Sequence, residues 1–366
     1  MAFSLPDFPW DSLEPFKKQA AGHPEGLIDL SVGSPVDDTP VIAQEALSLA
    51  GNAPSYPLTA GTPELRAAIA SWWERRRNTG PLESAHVIPT IGSKEMVGLL
   101  PTILGVRAGD VVVIPEIAYP TYAIGAHLIG ATIVASDNPE DWPTNTALIW
   151  LNSPSNPTGS VASVATLRSA VARARELSAV LASDECYAEL PWTLDSVPSL
   201  LDREVTGGDL TGLVALYSTS KQSNLAGYRA GIMAGDPALI DRILQVRKHL
   251  GLIPPGPIQA ALTAVLGDDE HVVEQKERYR ARRDVLLPAV LAAGFRVDRS
   301  EAGLYLWATR GESALETVEW FASRGILVTP GYFYGKAGGQ HVRIALTAKD
   351  QCLQKLAVRF GLRGFG

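Results

Sequence analysis

Apolar residues fall into two alternating patterns along the chain. Val111 to Ile114, Ala147 to Leu151, Ala179 to Ala182 and Leu213 to Tyr217 are short unbroken runs. Runs of that length fit strands buried on both faces. Between them, apolar positions recur every three or four residues. Leu65, Ala68, Ile69, Trp72 and Trp73 follow Thr62-Pro63, a capping residue with proline in the first turn, which predicts a helix start. Tyr122 to Ile129 and Ser163 to Leu177 also read as helices. Buried strands separated by helices predict an α/β fold with a mostly parallel sheet.

The last third differs. Asp268 to Ala293 is one long helical pattern rich in Arg and Glu, with the look of a connector. After it come an apolar run at Leu304 to Trp307, a helix near Leu315 to Ser323, a strand at Gln340 to Leu346 and a final helix. This α+β order suggests a smaller domain. The expected division is a large domain over 36–267 and a small one built from 1–35 and 268–366.

Composition narrows the class. The 366 residues are 46% hydrophobic and 19% charged, a globular balance that excludes a disordered, fibrous or disulfide-stapled chain. The 39 acidic against 32 basic residues give a net charge of −7, which argues against a nucleic-acid partner. Two cysteines, Cys186 and Cys352, fit a reducing compartment. The segment Met1 to Gln19 lacks the basic start and apolar run of a secretory signal. The longest mostly apolar stretch, Met96 to Val106, is too short to span a bilayer. The expectation is a cytoplasmic protein without a membrane partner.

Several chemistries are missing from the sequence. Gly331 and Gly335-Lys336 have the wrong spacing for a phosphate loop, and Ala337 stands where Ser or Thr is needed. There is no G-x-G-x-x-G, no G-x-S-x-G and no H-E-x-x-H, so no metal site is expected.

Four segments stand at strand ends, where open α/β sheets place their ligands. Thr90-Ile91-Gly92-Ser93-Lys94-Glu95 leads into a helix, whose free N–H groups favour an anion. Asn152 to Gly159 is a turn that could present an Asn side chain. Asp184-Glu185-Cys186-Tyr187 brings an acid able to face a cation. Ser218 to Gly231, read as one glycine-containing loop, gathers hydroxyls with Lys221 and Arg229.

In this order the segments resemble the class I/II aminotransferases of fold type I, which use pyridoxal 5′-phosphate. Gly33-x-Pro35, Tyr56 with Gly61, Tyr119-Pro120-x-Tyr122, Gly303-x-Tyr305-x-Trp307, Pro330-Gly331 and Arg343 extend the likeness over nearly the whole chain. The resemblance implies that Lys221 is the Schiff-base lysine and that Asp184 pairs with the pyridine nitrogen. It implies that Asn156 and Tyr187 hydrogen-bond the ring hydroxyl and that Tyr119 stacks on the ring. Ser93, Lys94, Ser218, Ser220 and Arg229 would hold the phosphate. Tyr56 would reach the phosphate of a neighbouring subunit, which implies a homodimer. Arg343 would clamp the substrate α-carboxylate, with help from Asn156 and the Gly33 backbone.

Physical chemistry agrees with these roles. A buried lysine near other cations has a lowered pKa, as amine chemistry requires. A carboxylate keeps a pyridine nitrogen protonated. A guanidinium suits a carboxylate bidentately.

More narrowly, Asp29 to Asp37, Tyr56 to Thr62, Leu151 to Gly159, Leu225 to Gly231 and Arg247-Lys248-His249 resemble the actinobacterial N-succinyldiaminopimelate aminotransferases. The implied reaction exchanges an amino group between glutamate and N-succinyl-2-amino-6-oxoheptanedioate in lysine biosynthesis. Longer aspartate aminotransferases read a distal carboxylate with a partner-donated arginine. Here Ile253-Pro254-Pro255-Gly256-Pro257 carries no charge, leaving Lys94, Lys248, His249 and Lys336 as candidates. The alternatives are a broad aspartate or aromatic aminotransferase and a carbon–sulfur β-lyase on the same fold.

Overall fold

The computed structural model describes residues 5–362. Residues 1–4 and 363–366, at the two ends of the expected small domain, lie outside the described residues. Strand β1 is Ile28–Asp29. Strands β2 (Val87–Ile91), β3 (Val111–Ile114), β4 (Thr132–Ala135), β5 (Thr146–Asn152), β6 (Val180–Asp184), β7 (Leu213–Ser218) and β8 (Ala230–Gly235) form one sheet in the order β2-β8-β7-β6-β5-β3-β4. The strands from β7 to β4 are parallel to their neighbours, while β8 runs antiparallel to both β7 and β2.

Both faces of this sheet are covered. Trp72, Trp73, Ile149, Leu181 and Tyr217 pack on one side, and Met96, Leu100, Tyr122, Trp150 and Leu216 on the other. Every residue of β7 is buried, which explains its unbroken apolar pattern. The helix Pro63–Arg77 starts as its sequence requires: Thr62 accepts the Leu65 amide at 3.2 Å and Pro63 occupies the first turn.

The C-terminal part builds a four-stranded antiparallel sheet from β9 (Arg296–Asp298), β10 (Tyr305–Thr309), β12 (Thr329–Pro330) and β13 (Val342–Ala345), in the order β12-β13-β10-β9. Strand β11 (Ile326–Leu327) pairs with β1 in parallel, so an N-terminal segment joins this C-terminal part. The helix Glu270–Ala292 leads from one sheet to the other. No helix among the described residues is long and apolar enough to cross a membrane.

Three details differ from the sequence reading. Ala230 and Gly231 begin strand β8 and do not end a loop. A Cβ on Gly231 would lie 2.7 Å from Thr90 Oγ1 and 2.8 Å from the Gly92 carbonyl carbon, so close packing against β2 demands the glycine. The helix after Tyr119 spans Thr121–His127 and not Tyr122 to Ile129. The expected final helix is broken into Asp350–Leu353 and Leu356–Arg359.

Candidate active site

All the strand ends that carry chemistry point to one edge of the large sheet. Asn152 pairs in register with Asp184, and Asp184 with Leu216. The C-terminal ends of β5, β6 and β7 therefore deliver the Asn152 turn, Asp184 and the Ser218 to Lys221 segment side by side. Strand β2 runs in the same direction and delivers Gly92 and Ser93 at the start of the helix Gly92–Ile103.

A cavity of about 470 Å3 opens at this edge. Ser93, Lys94, Tyr119, Asn156, Asp184 and Tyr187 line it. Ser218, Ser220, Lys221, Arg229, Gly33 and Arg343 complete the expected set. Tyr56 is the exception. It is 98% exposed and does not line its own chain's cavity.

Asp184 lies at the floor. Its Oδ2 accepts the Tyr122 hydroxyl at 3.0 Å and its Oδ1 accepts the Cys186 amide at 3.2 Å. Burial raises its carboxyl above the ordinary aspartate range, although these hydrogen bonds pull the other way. The ordinary way to offset such a penalty is a facing cation. The Asn152 side chain ties the neighbouring turn to this strand: its Nδ2 donates to the Asp184 carbonyl at 2.9 Å, and its Oδ1 accepts the Asn156 amide at 2.7 Å.

Lys221 lies in a short turn of helix, Thr219–Gln222. Burial lowers its pKa, with Arg343 and Arg229 acting in the same sense. Its Nζ donates to the Gly33 carbonyl. Gly33 is required there, because a Cβ would run into the Tyr305 hydroxyl.

One corner of the cavity combines three elements. The Ser218 and Ser220 hydroxyls are 2.8 Å apart. Ser93 accepts the Cys186 thiol at 3.1 Å. Arg229 has a left-handed backbone (φ 55°) and donates to the Ala226 carbonyl at 2.9 Å. Its guanidinium occupies the space a Cβ on Gly92 would fill, so glycine admits the cation to the helix start. Hydroxyls, a guanidinium and helix N–H groups together suit a phosphate.

Arg343, on β13, is buried. Its Nη1 donates to Asn156 Oδ1 at 2.9 Å and its Nη2 to the Ser31 carbonyl at 2.5 Å, while Nε has no hydrogen-bond partner among the described residues. The guanidinium lies 4.1 Å from the Tyr305 ring centroid and 6.0 Å from that of Trp10. The Tyr305 and Tyr187 hydroxyls are 3.0 Å apart. Burial alone would raise both phenols, and it dominates at Tyr187. At Tyr305 the positive charges of Arg343 and Lys221, together with the Tyr187 hydrogen bond, outweigh it and hold the phenol below its ordinary value.

These features fit a flat ring with an anion at one end and a cationic nitrogen at the other. The buried carboxylate of Asp184, the Gly92–Arg229 cradle and the unpartnered Arg343 Nε are all consistent with such a cofactor and its carboxylate substrate.

Sequence reasoning missed Tyr122 as the Asp184 partner and Trp10 and Phe8 as cavity walls. Of the four candidates for a distal carboxylate, Lys94 lines this cavity and Lys336 lines an adjoining one. Lys248 and His249 are exposed on the helix Pro237–Leu250 and line neither.

The family model for aminotransferase class I and II matches residues 25–360. Among curated relatives, the 4-dedimethylamino-4-oxo-anhydrotetracycline transaminase OxyQ of Streptomyces rimosus is 52% identical over 356 residues, 97% of this chain and 99% of the relative. An LL-diaminopimelate aminotransferase of Dehalococcoides mccartyi is 32% identical over 359 residues, covering 93% of this chain and 91% of that one. Among solved structures, a probable N-succinyldiaminopimelate aminotransferase from Thermus thermophilus superposes with a TM-score of 0.87 at 27% identity, over 96% of this chain and 99% of that one.

Proposed function

Because the chain belongs to the class I and II aminotransferases, which depend on pyridoxal 5′-phosphate, we propose that its cavity exchanges the amino group of glutamate with N-succinyl-2-amino-6-oxoheptanedioate. What supports the site assignment most is that Lys221, Asp184 and Arg343 line one cavity. The finer substrate is supported by likeness to the diaminopimelate aminotransferases.

When bound, the cofactor supplies a reactive aldehyde and an electron-accepting ring. Lys221 offers the amine that holds it and, once free, moves a proton at the substrate α-carbon. Asp184 holds the ring nitrogen's proton, with Tyr122 fixing its carboxylate. Asn156 and Tyr187 would hold the ring hydroxyl, and Tyr119 would cover the ring. Ser93, Lys94, Ser218, Ser220 and Arg229 anchor the phosphate. Arg343 orients the α-carboxylate, its own position fixed by Asn156 and the Ser31 carbonyl. Exposed Tyr56 completes the phosphate site of a second copy in a homodimer, and the division into 36–267 and a small domain from 1–35 and 268–366 leaves the cavity between the two. We place the enzyme in the cytoplasm.

A second reading, a bulky oxo acceptor of the kind named for OxyQ, is favoured by 52% identity to that relative and by a larger aromatic-walled cavity beside the site. Steady-state kinetics with glutamate against each acceptor separates the two. In the reverse direction, with 2-oxoglutarate as acceptor, the first reading predicts that N-succinyldiaminopimelate exceeds aspartate or tyrosine as donor in kcat/KM by about 100-fold or more, since two charge-assisted contacts at ~1.5 kcal/mol each suffice. Equal efficiencies would point to a broad aminotransferase. Pyruvate and ammonia from cystathionine would point to a lyase.

A further inference from the structure

A second cavity of about 910 Å3 adjoins the first. The two share Phe8, Trp10, Lys94 and Tyr119 as lining residues. Lys94 Nζ lies 5.5 Å from the Phe8 ring centroid and 5.9 Å from that of Tyr119, so one cation stands between two aromatic rings where the cavities meet. Trp10 continues that boundary toward the carboxylate clamp, 6.0 Å from the Arg343 guanidinium carbon.

Beyond this doorway the walls are mostly apolar. Ile114 and Ala118 come from the end of β3 and the loop after it. Ala123 and Ile124 come from the helix Thr121–His127, and Phe333 from the turn after β12. The charged lining residues are exposed: Asp7, Glu116, His127 and Lys336 stand at the rim, with Lys94 at the doorway. The space is too large to be a packing defect, and an apolar pocket with a few polar groups is the usual form of a ligand site.

We propose that this annex is the subsite for the distal part of an elongated amino acid or 2-oxo acid. Its α-carboxylate sits at Arg343, its hydrocarbon or aromatic body passes Trp10 and Tyr119, and a terminal anion is met by Lys336. Continuity with the active cavity argues for substrate as the occupant. The inference rests on the aminotransferase reading and deepens it. It explains how a substrate with a long methylene stem is read without an arginine near Pro255.

The test uses the loaded enzyme, 2-oxoglutarate as acceptor and a series of unbranched donors: 2-aminobutyrate, norvaline, norleucine and 2-aminooctanoate. Burial of each methylene beyond norleucine should raise kcat/KM about fourfold in the wild type. Ala123→Trp, which fills the annex, should remove the gain from norleucine to 2-aminooctanoate while the half-reaction with glutamate, no longer than norleucine, stays within about twofold. Ile124→Phe serves as a second filling variant if Ala123→Trp does not fold. Lys336→Met should lower kcat/KM for 2-aminoadipate relative to norleucine. No gain from norleucine to 2-aminooctanoate in the wild type, as a second copy covering the annex would give, overturns the inference. So does an equal loss for glutamate and 2-aminooctanoate in a folded filling variant. Failure of the glutamate half-reaction in the wild type would instead overturn the aminotransferase reading.

Discussion

The Tyr122 hydroxyl donates to Asp184 Oδ2 at 3.0 Å, joining two buried residues 62 positions apart in the chain. Tyr122 is also stacked on Trp150, with ring centroids 5.1 Å apart. The phenol is therefore held by packing, and the carboxylate is held by the phenol.

Removing that hydroxyl should weaken the charged form of Asp184 without emptying the core. Tyr122→Phe is expected to lower kcat by about tenfold, because one hydrogen bond to a charged group is worth ~1.5 kcal/mol. Asp184→Ala should cost several orders of magnitude. Rapid-mixing kinetics of the glutamate half-reaction checks both, and near-normal turnover of Asp184→Ala would remove its role.

Asp184 also predicts a pH dependence. Its folded carboxyl is raised above the ordinary value of 3.8 by burial. Between those two values the folded chain holds a proton that the unfolded chain has released, so stability falls as pH rises through that window. Compared with Asp184→Asn, cofactor-free wild type should lose melting temperature as pH climbs from 3.8 toward the raised value. Loading with pyridoxal phosphate should narrow the difference. Parallel melting curves for the two proteins at every pH would contradict this.

Behind the cavity, Glu185 is closed off from solvent and held by three donors. It accepts from Arg77 Nη2 at 2.9 Å, Ser199 Oγ at 3.1 Å and the Leu200 amide at 2.8 Å, and its ion pair with Arg77 is almost wholly buried. Arg77→Ala should destabilise the fold by about 3–5 kcal/mol, because a buried charge is left unpaired. Urea unfolding measures this; a loss under ~1 kcal/mol would mean water or another cation replaces the arginine.

The exposed Tyr56 leads to a complementation experiment. Tyr56→Ala and Arg229→Ala chains are each expected to be weak enzymes. Mixed and allowed to exchange, they should regain activity, because one of the two sites in each hybrid dimer then has both residues intact. No recovery in a verified hybrid dimer would place Tyr56 outside the partner's site.

Much of this architecture was legible from local pattern. Strands β3, β5, β6 and β7 were visible because burial on both faces leaves an unbroken apolar run. Strand β8 was not, since Ala230 and Gly231 lack the bulky side chains that mark a strand; close approach to Thr90 and Gly92 selects small residues there. The cavity residues at strand ends could be read because sheet geometry brings strand ends together. Tyr122 could not, because its partner is set by packing across the sheet. Trp10 and Phe8 sit in a short segment without periodicity. Lys248 and His249 were suggested by motif likeness alone, and helix phase turns them to solvent.

Every role proposed for the cavity depends on Lys221 being the residue that holds the cofactor. Reducing the loaded enzyme with borohydride and mapping the pyridoxyl-labelled peptide tests it most directly. The label should be on Lys221, and the Lys221→Ala protein should carry none. A label on Lys94, Lys248, Lys336 or any other lysine would contradict the assignment.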